Sequence, residues 1–159
     1  MSQTLTEAIR SIKDHPRRAR QLYEKVIVRD FLDTPVRTGA WTPRQIFHHL
    51  ADSHMNSYIR IKLALTEDKP VIKPYAEDRW AELNDTWDVP VSVSLDLLDG
   101  IHHRVVAILN HLIASDLKGF ERRFIHPEIG EISLKQYIKQ FADHGIGHLD
   151  AIEKLFDEN

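Results

Sequence analysis

His144 and His148 stand one helical turn apart in the stretch FADHGIGHLDAIEKL, residues 141–155. Side chains at i and i+4 share one side of a helix, so their ring nitrogens can converge on a single metal ion. Phe141, Leu149, Ile152 and Leu155 recur at helical spacing, which predicts an amphipathic helix here. At about 100° per residue, the core face is defined by Leu134, Ile138, Phe141, Leu149, Ile152 and Phe156. His148 then lies about 60° from the centre of that face and His144 about 100° away, on the flank of Tyr137 and Leu155. A groove between helices can reach both rings there. The helix also keeps Gly145 and Gly147, each costing about 1 kcal/mol relative to alanine. Something other than helix stability holds them in place; a small Gly145 would let another backbone or side chain approach beside the histidines.

Ten histidines, at 15, 48, 49, 54, 102, 103, 111, 126, 144 and 148, would give about half of one such pair by chance, so the pair needs company. The helical zinc-protease pattern requires glutamate after the first histidine, and Gly145 occupies that place. That class is excluded. Further imidazoles come from IFHHLADSHMNSYIR, residues 46–60. Its apolar face, with Ile46, Phe47, Leu50, Ala51, Tyr58, Ile61 and Leu65, centres almost on His54. Periodicity therefore turns His54 inward as a hydrogen-bonded core histidine. His49 shares a stripe with Ser53, Asn56 and Arg60, facing solvent or a polar groove. The spacing offers a third imidazole from this helix without choosing which. His48 is expected at the surface, His102 as a satisfied interior histidine, and His15, His103 and His111 in solvent; His126 fits either place.

These side chains are carried by four segments of helical periodicity. The first spans about residues 5–31, with a break expected near His15-Pro16, because proline disfavours a helical residue before it. The second opens at Thr42-Pro43, an N-cap followed by proline at the first helical position, and stops at Asp68-Lys69-Pro70. The third starts near Ser92 or Ser94, and the fourth runs from Ser133 to about Phe156. A long proline-containing connection joins the second to the third. FERRFIHPEIGEIS, before the fourth, reads as a short hairpin around residues 127–130. Without βαβ alternation, this is an all-α four-helix bundle with a long crossover between its second and third helices.

The chain has 159 residues, 42% hydrophobic and 28% charged, which suits one domain over 1–159. A net charge of −3 gives no reason to expect nucleic acid. No apolar run approaches the roughly 20 residues that span a bilayer, and the first residues lack a signal peptide's apolar core. No cysteine is present, so disulfides, thiol nucleophiles and thiolate ligands are out. A cytoplasmic protein is expected.

Residues 32–83, with HHLADSHMNSYIR and PYAEDRWAEL, together with IHPEIGEISL and the fourth helix, closely resemble the YfiT-like branch of the DinB superfamily. The resemblance implies a four-helix bundle, often a homodimer, with one divalent metal on three histidines. Its first ligand is the second histidine of the HHLAD motif, His49 here; the others fall on His144 and His148. It thus sets His49, and not His54, towards the metal. The family's histidine-rich run between the last two ligands is replaced here by Gly145-Ile146-Gly147. Three neutral imidazoles leave a divalent ion its full charge and an open position, an arrangement suited to catalysis, and all-nitrogen ligation suits zinc or nickel. The resemblance implies a metal-dependent hydrolase of a small molecule. The alternatives are a thiol S-transferase of bacillithiol type, and a non-enzymatic metal-binding stress protein. Asp52, one turn from His49, is the candidate base. Ser53, Asn56, Arg60, Tyr75, Asp78 and Trp80 are the candidate substrate-groove residues.

Overall fold

The computed structural model describes residues 4–157. Four long helices dominate it: α1 (Leu5–Val28), α2 (Pro43–Thr66), α5 (Val91–Ser115) and α6 (Leu134–Asp157). Two short helices, α3 (Glu77–Trp80) and α4 (Asn84–Asp88), lie in the crossover between α2 and α5. A hairpin of β1 (Arg123–His126) and β2 (Gly130–Ser133) precedes α6, with Phe124 opposite Ile132 and His126 opposite Gly130. α1 packs on α5 and α6, and α2 packs on the same two helices, which makes a four-helix bundle.

Local chemistry fixes where three of these helices start. Thr4 and Glu7 form a capping box on α1, Thr42 and Gln45 form one on α2, and Ser133 and Gln136 bond reciprocally at the start of α6. Each arrangement satisfies amide donors that the first helical turn leaves without partners. α5 has no side-chain cap and starts at Val91, just before the expected Ser92 or Ser94.

The expected break at Pro16 does not occur: α1 is continuous, with Pro16 inside it. Proline lacks the N–H that would bond to the carbonyl four residues earlier, here Ile12. His102 of α5 donates its Nδ1 proton to that carbonyl at 2.6 Å. The helix survives because a neighbouring helix fills the gap that the proline opens.

The core falls into two apolar clusters. One gathers Ile9, Ile12, Ile61, Val105, Leu109 and Ile138 with the hairpin residue Phe124; the other gathers Leu22, Ile46, Phe47, Leu50, Leu98 and Leu149. On α1, α2 and α6 the two clusters are separated in sequence by His15, His54 and Gly145, and on α5 His102 stands just after Ile101 of the first cluster; these four positions meet in one buried layer. His15, expected in solvent, is buried in this layer; His48, expected at the surface, is buried elsewhere, with its Nδ1 2.8 Å from the Ser94 hydroxyl. Periodicity placed both outside because the helices that cover them come from distant sequence. His103 and His111 are exposed and His102 is buried, as expected.

Gly145 has its explanation in this layer. A Cβ there would stand 2.8 Å from Cε1 of His15 and 3.2 Å from Cε1 of His54. The bare backbone makes room for two rings. A Cβ on Gly147 would meet nothing within 4 Å. Gly147→Ala is therefore expected to stabilise the protein by about 0.5–1 kcal/mol, whereas Gly145→Ala should destabilise it by about 1–3 kcal/mol. Urea melts of the two variants check this; equal shifts of the same sign would refute the packing account.

Candidate metal centre

His49 sits on α2 and His144 and His148 on α6, which packs against it. The Nε2 atom of His144 lies 3.2 Å from Nε2 of His49 and 3.2 Å from Nε2 of His148. The three rings belong to a group whose ligand atoms all fall within 4.8 Å of one another, so they could hold a metal ion. Tetrahedral sites with metal–nitrogen bonds of 2.0–2.1 Å need nitrogens about 3.3–3.4 Å apart, close to the spacing found here. Burial, followed by the neighbouring rings, pushes His49 down to about 3 and His148 down to about 4, and burial lowers His144 as well. All three are thus neutral at pH 7, the form that binds metal.

A second group of three, His15, His54 and His102, occupies the buried layer. Its chemistry differs. Ile12's carbonyl can only accept, so His102 Nδ1 carries a proton, and in the neutral ring Nε2 is a lone pair. His54 Nδ1, 2.7 Å away, must then donate to it. That leaves Nε2 of His54 as a buried nitrogen without a partner, like Nε2 of His15. The 2.7 Å contact is a hydrogen bond and is too short for two ligands of one tetrahedral ion. This group is a buried layer, hydrogen-bonded from His54 through His102 to Ile12, that lies against the first group: the His54 and His144 rings are 6.0 Å apart.

Trp41, just before the N-cap of α2, packs against His49 and His148 with ring centroids 4.7 and 6.0 Å away. Sequence reading missed it. Its position beside Thr42 is legible as the residue entering a helix, but its contact with α6 depends on how the helices dock. Cavities flank the triad. One of about 640 Å³ touches His148 and is lined by Trp41, Arg37, Asp78 and Lys154. One of about 210 Å³ touches His144 and is lined by Ser53, Ser57, Arg60, Tyr75 and Glu77. A third, of about 480 Å³, shares Arg60, Tyr75, Glu77 and His126 with the second.

The crossover reaches these cavities because it is tied down at both ends. Ile72 donates to the Ile125 carbonyl at 3.0 Å, and Ile125 to Pro70 at 2.9 Å, docking the chain on β1. Near α3, the Gln45 amide donates to Glu82 at 2.7 Å. Tyr75 and Trp80 pack against each other at 4.6 Å, and the Tyr75 hydroxyl is buried without a partner. Asp78 lines the two larger cavities. Asn56 turns back on its own helix and donates to the Asp52 carbonyl at 2.9 Å. Asp52 is half-buried, and burial, with Asp85 second, pushes its carboxyl up to about 6. Among the described residues it makes no hydrogen bond to the triad.

A four-helix bundle of this kind is shared with known proteins. The DinB superfamily pattern matches residues 11–152, and the chain belongs to that superfamily. A protein of Oceanobacillus iheyensis named "Putative metal-dependent hydrolase" is 46% identical over 154 residues, covering 95% of this chain and 85% of its own. A Bacillus cereus protein of the same description is 54% identical over 124 residues, covering 78% of this chain and 69% of its own. Among solved structures, Bacillus subtilis YfiT superimposes with a TM-score of 0.89 at 41% identity, over 97% of this chain and 86% of that one. It is described as a probable metal-dependent hydrolase with an unusual four-helix bundle topology. TT2238, described as a four-helix bundle protein, matches with a TM-score of 0.58 at 21% identity and supports the fold alone.

Proposed function

We propose that the protein is a metal-dependent hydrolase of a small molecule, with one zinc or nickel ion held by His49, His144 and His148. The convergence of three imidazoles, with Nε2 of His144 3.2 Å from Nε2 of each of the other two and all ligand atoms within 4.8 Å, on a wall between cavities, is the observation that carries this reading. An ion with an open position there would supply Lewis acidity and lower the pKa of water. The chain's own residues do the rest. The three imidazoles stay neutral and available because burial holds their protonation below neutrality. Trp41 covers the His49 and His148 rings on one side and restricts water there. Asp52, one turn from His49 and with its carboxyl pushed up to about 6, is the residue that would take up a proton from water at its carboxylate above that pH.

Assay of zinc- and nickel-loaded protein against ester and amide panels tests the activity. Conjugation of monochlorobimane to cellular thiols, run in parallel, tests the S-transferase alternative; metal-dependent conjugation without hydrolysis would replace our reading. Asp52→Asn is expected to lower kcat/KM on any hydrolysed ester by about 10²-fold or more. It should also flatten the limb of the pH profile in which activity rises through pH 6. A variant with that limb intact would take Asp52 out of the mechanism.

The homodimer implied by the family resemblance is also proposed for this chain. Light scattering at micromolar concentration should give about twice the chain mass of 18.5 kDa, and the mass of one chain would reject it.

A further inference from the structure

Arg60 is a cation without a counter-charge. Arg18, Arg20, Arg44 and Arg123 each pair with a carboxylate at 2.6–2.8 Å, whereas half-buried Arg60 has no carboxylate within 4.0 Å among the described residues. Its guanidinium donates to the Tyr137 hydroxyl at 3.3 Å and to the Lys73 carbonyl at 3.4 Å, both long contacts. Tyr137 in turn donates to the Ser57 hydroxyl at 2.9 Å, which fixes its oxygen as the acceptor for Arg60. The head group is therefore held in place with donors to spare. It lines the cavity of about 210 Å³ that reaches His144, and also the adjoining one of about 480 Å³. Tyr137 and His144 lie seven residues apart on α6, a rise of about 10 Å. The smaller cavity has room for about seven water volumes, so it fits a small, extended ligand.

We propose that Arg60 is a specificity residue that binds a carboxylate on the substrate, about two helical turns from the histidine triad. The substrate class is a small carboxylic acid whose reacting bond lies at the far end of the molecule from its carboxylate. The proposal rests on the metal-centre reading, since the triad fixes the other end of the ligand. Arginine suits the task because its planar fork gives two parallel bonds to a carboxylate, and an unpaired guanidinium in a partly buried wall gains more from an anion than an exposed one does. Half-buried Tyr75, whose hydroxyl is buried without a partner and which lines the same cavity, offers the ligand one further polar contact. Glu77 also faces this space, without pairing to Arg60, and repels an anion mildly.

The probes are ω-mercaptocarboxylates of increasing length, from mercaptopropanoate to mercaptooctanoate, and their terminal amides. Each is titrated calorimetrically into zinc-loaded protein, so that the thiol occupies the metal and the other end reports on Arg60. At the best chain length the carboxylate should bind roughly ten-fold more tightly than its amide. Arg60→Gln should abolish that preference and leave amide affinity and zinc content unchanged; Arg60→Lys should keep part of it, and Glu77→Gln should enlarge it. Equal affinity of acid and amide at every length, or a preference that survives Arg60→Gln, would overturn the proposal while the metal centre stands. Failure of the protein to take up zinc, or probe binding that is the same without zinc, would overturn the metal centre and this inference with it.

Discussion

His144→Ala protein is expected to leave reconstitution with zinc or nickel almost empty. His144 is the shared member of the triad, 3.2 Å from each of the other two nitrogens, so its removal leaves His49 and His148 without the ring that joins them. Structural zinc sites with four ligands contribute about 10–16 kcal/mol, so one lost imidazole is worth about 3–4 kcal/mol, or about 10²–10³-fold in affinity. His49→Ala should behave alike. His54→Ala should keep near-stoichiometric metal and instead lose stability, because it removes the donor to His102 and leaves a void in the core. Elemental analysis after dialysis, with melting temperature measured with and without metal, separates the two effects. If His54→Ala emptied the site and His49→Ala did not, the ion would belong to the buried layer.

Acid should unfold the metal-free protein well before its carboxylates titrate. Burial holds His102 down to about 4 and His15 and His54 well below the ordinary value of 6.5. Unfolded, these rings accept protons near pH 6.5; folded, His102 does so only at about 4, and His15 and His54 well below 6.5. The unfolded chain therefore binds more protons across that window, so stability is fully present above pH 6.5 and is lost as the pH falls towards 4. Asp52 acts in the opposite sense, since its carboxyl, pushed up to about 6, makes the folded state the better proton binder between pH 4 and 6. Several histidines outweigh one carboxyl. A tenfold weaker hold on a proton in the folded state corresponds to about 1.4 kcal/mol, so His102 alone, held down to about 4, contributes about 3 kcal/mol, a large part of the roughly 5–15 kcal/mol that usually holds a domain together. Urea denaturation of metal-free protein should show little change from about pH 8 to 6.5 and a steep loss below it. Unchanged stability at pH 5 would mean that these rings are not held neutral.

Much of the scaffold is legible in the chain because its signals are local. Thr42-Pro43 and Gln45 mark the start of α2 within one turn of backbone, and Ser133 with Gln136 does the same for α6. Apolar spacing places Leu149 and Ile152 in the core because a helix has a single period. Pro16 misled for the same reason. Its local cost is real, but the compensation comes from His102, eighty-six residues away. The burial of His15 and His48 was illegible on similar grounds, since each is covered by helices that their own neighbourhood does not announce.

The pairing of His144 with His148 was set by the sequence alone, since four residues make one helical turn whatever surrounds them. Helical periodicity alone could not say which of His49 and His54 stands beside His144 and His148; the family resemblance pointed to His49, and the tertiary structure groups His49 with them. Periodicity can order residues on α2 by their angle to the core, and it turned His54 inward correctly. It has no means of saying that the core is cut by a layer of histidines, or that α6 closes over the flank of α2 as well as its apolar face. Docking α6 there buries both rings, and it gives them different partners: His54 meets His102 across a hydrogen bond, while His49 meets His144 nitrogen to nitrogen. The physical reason is one of range. Helix period and capping act over a turn, whereas the convergence of nitrogens on one point requires two rigid helices to be fixed against each other by contacts spread along their whole length.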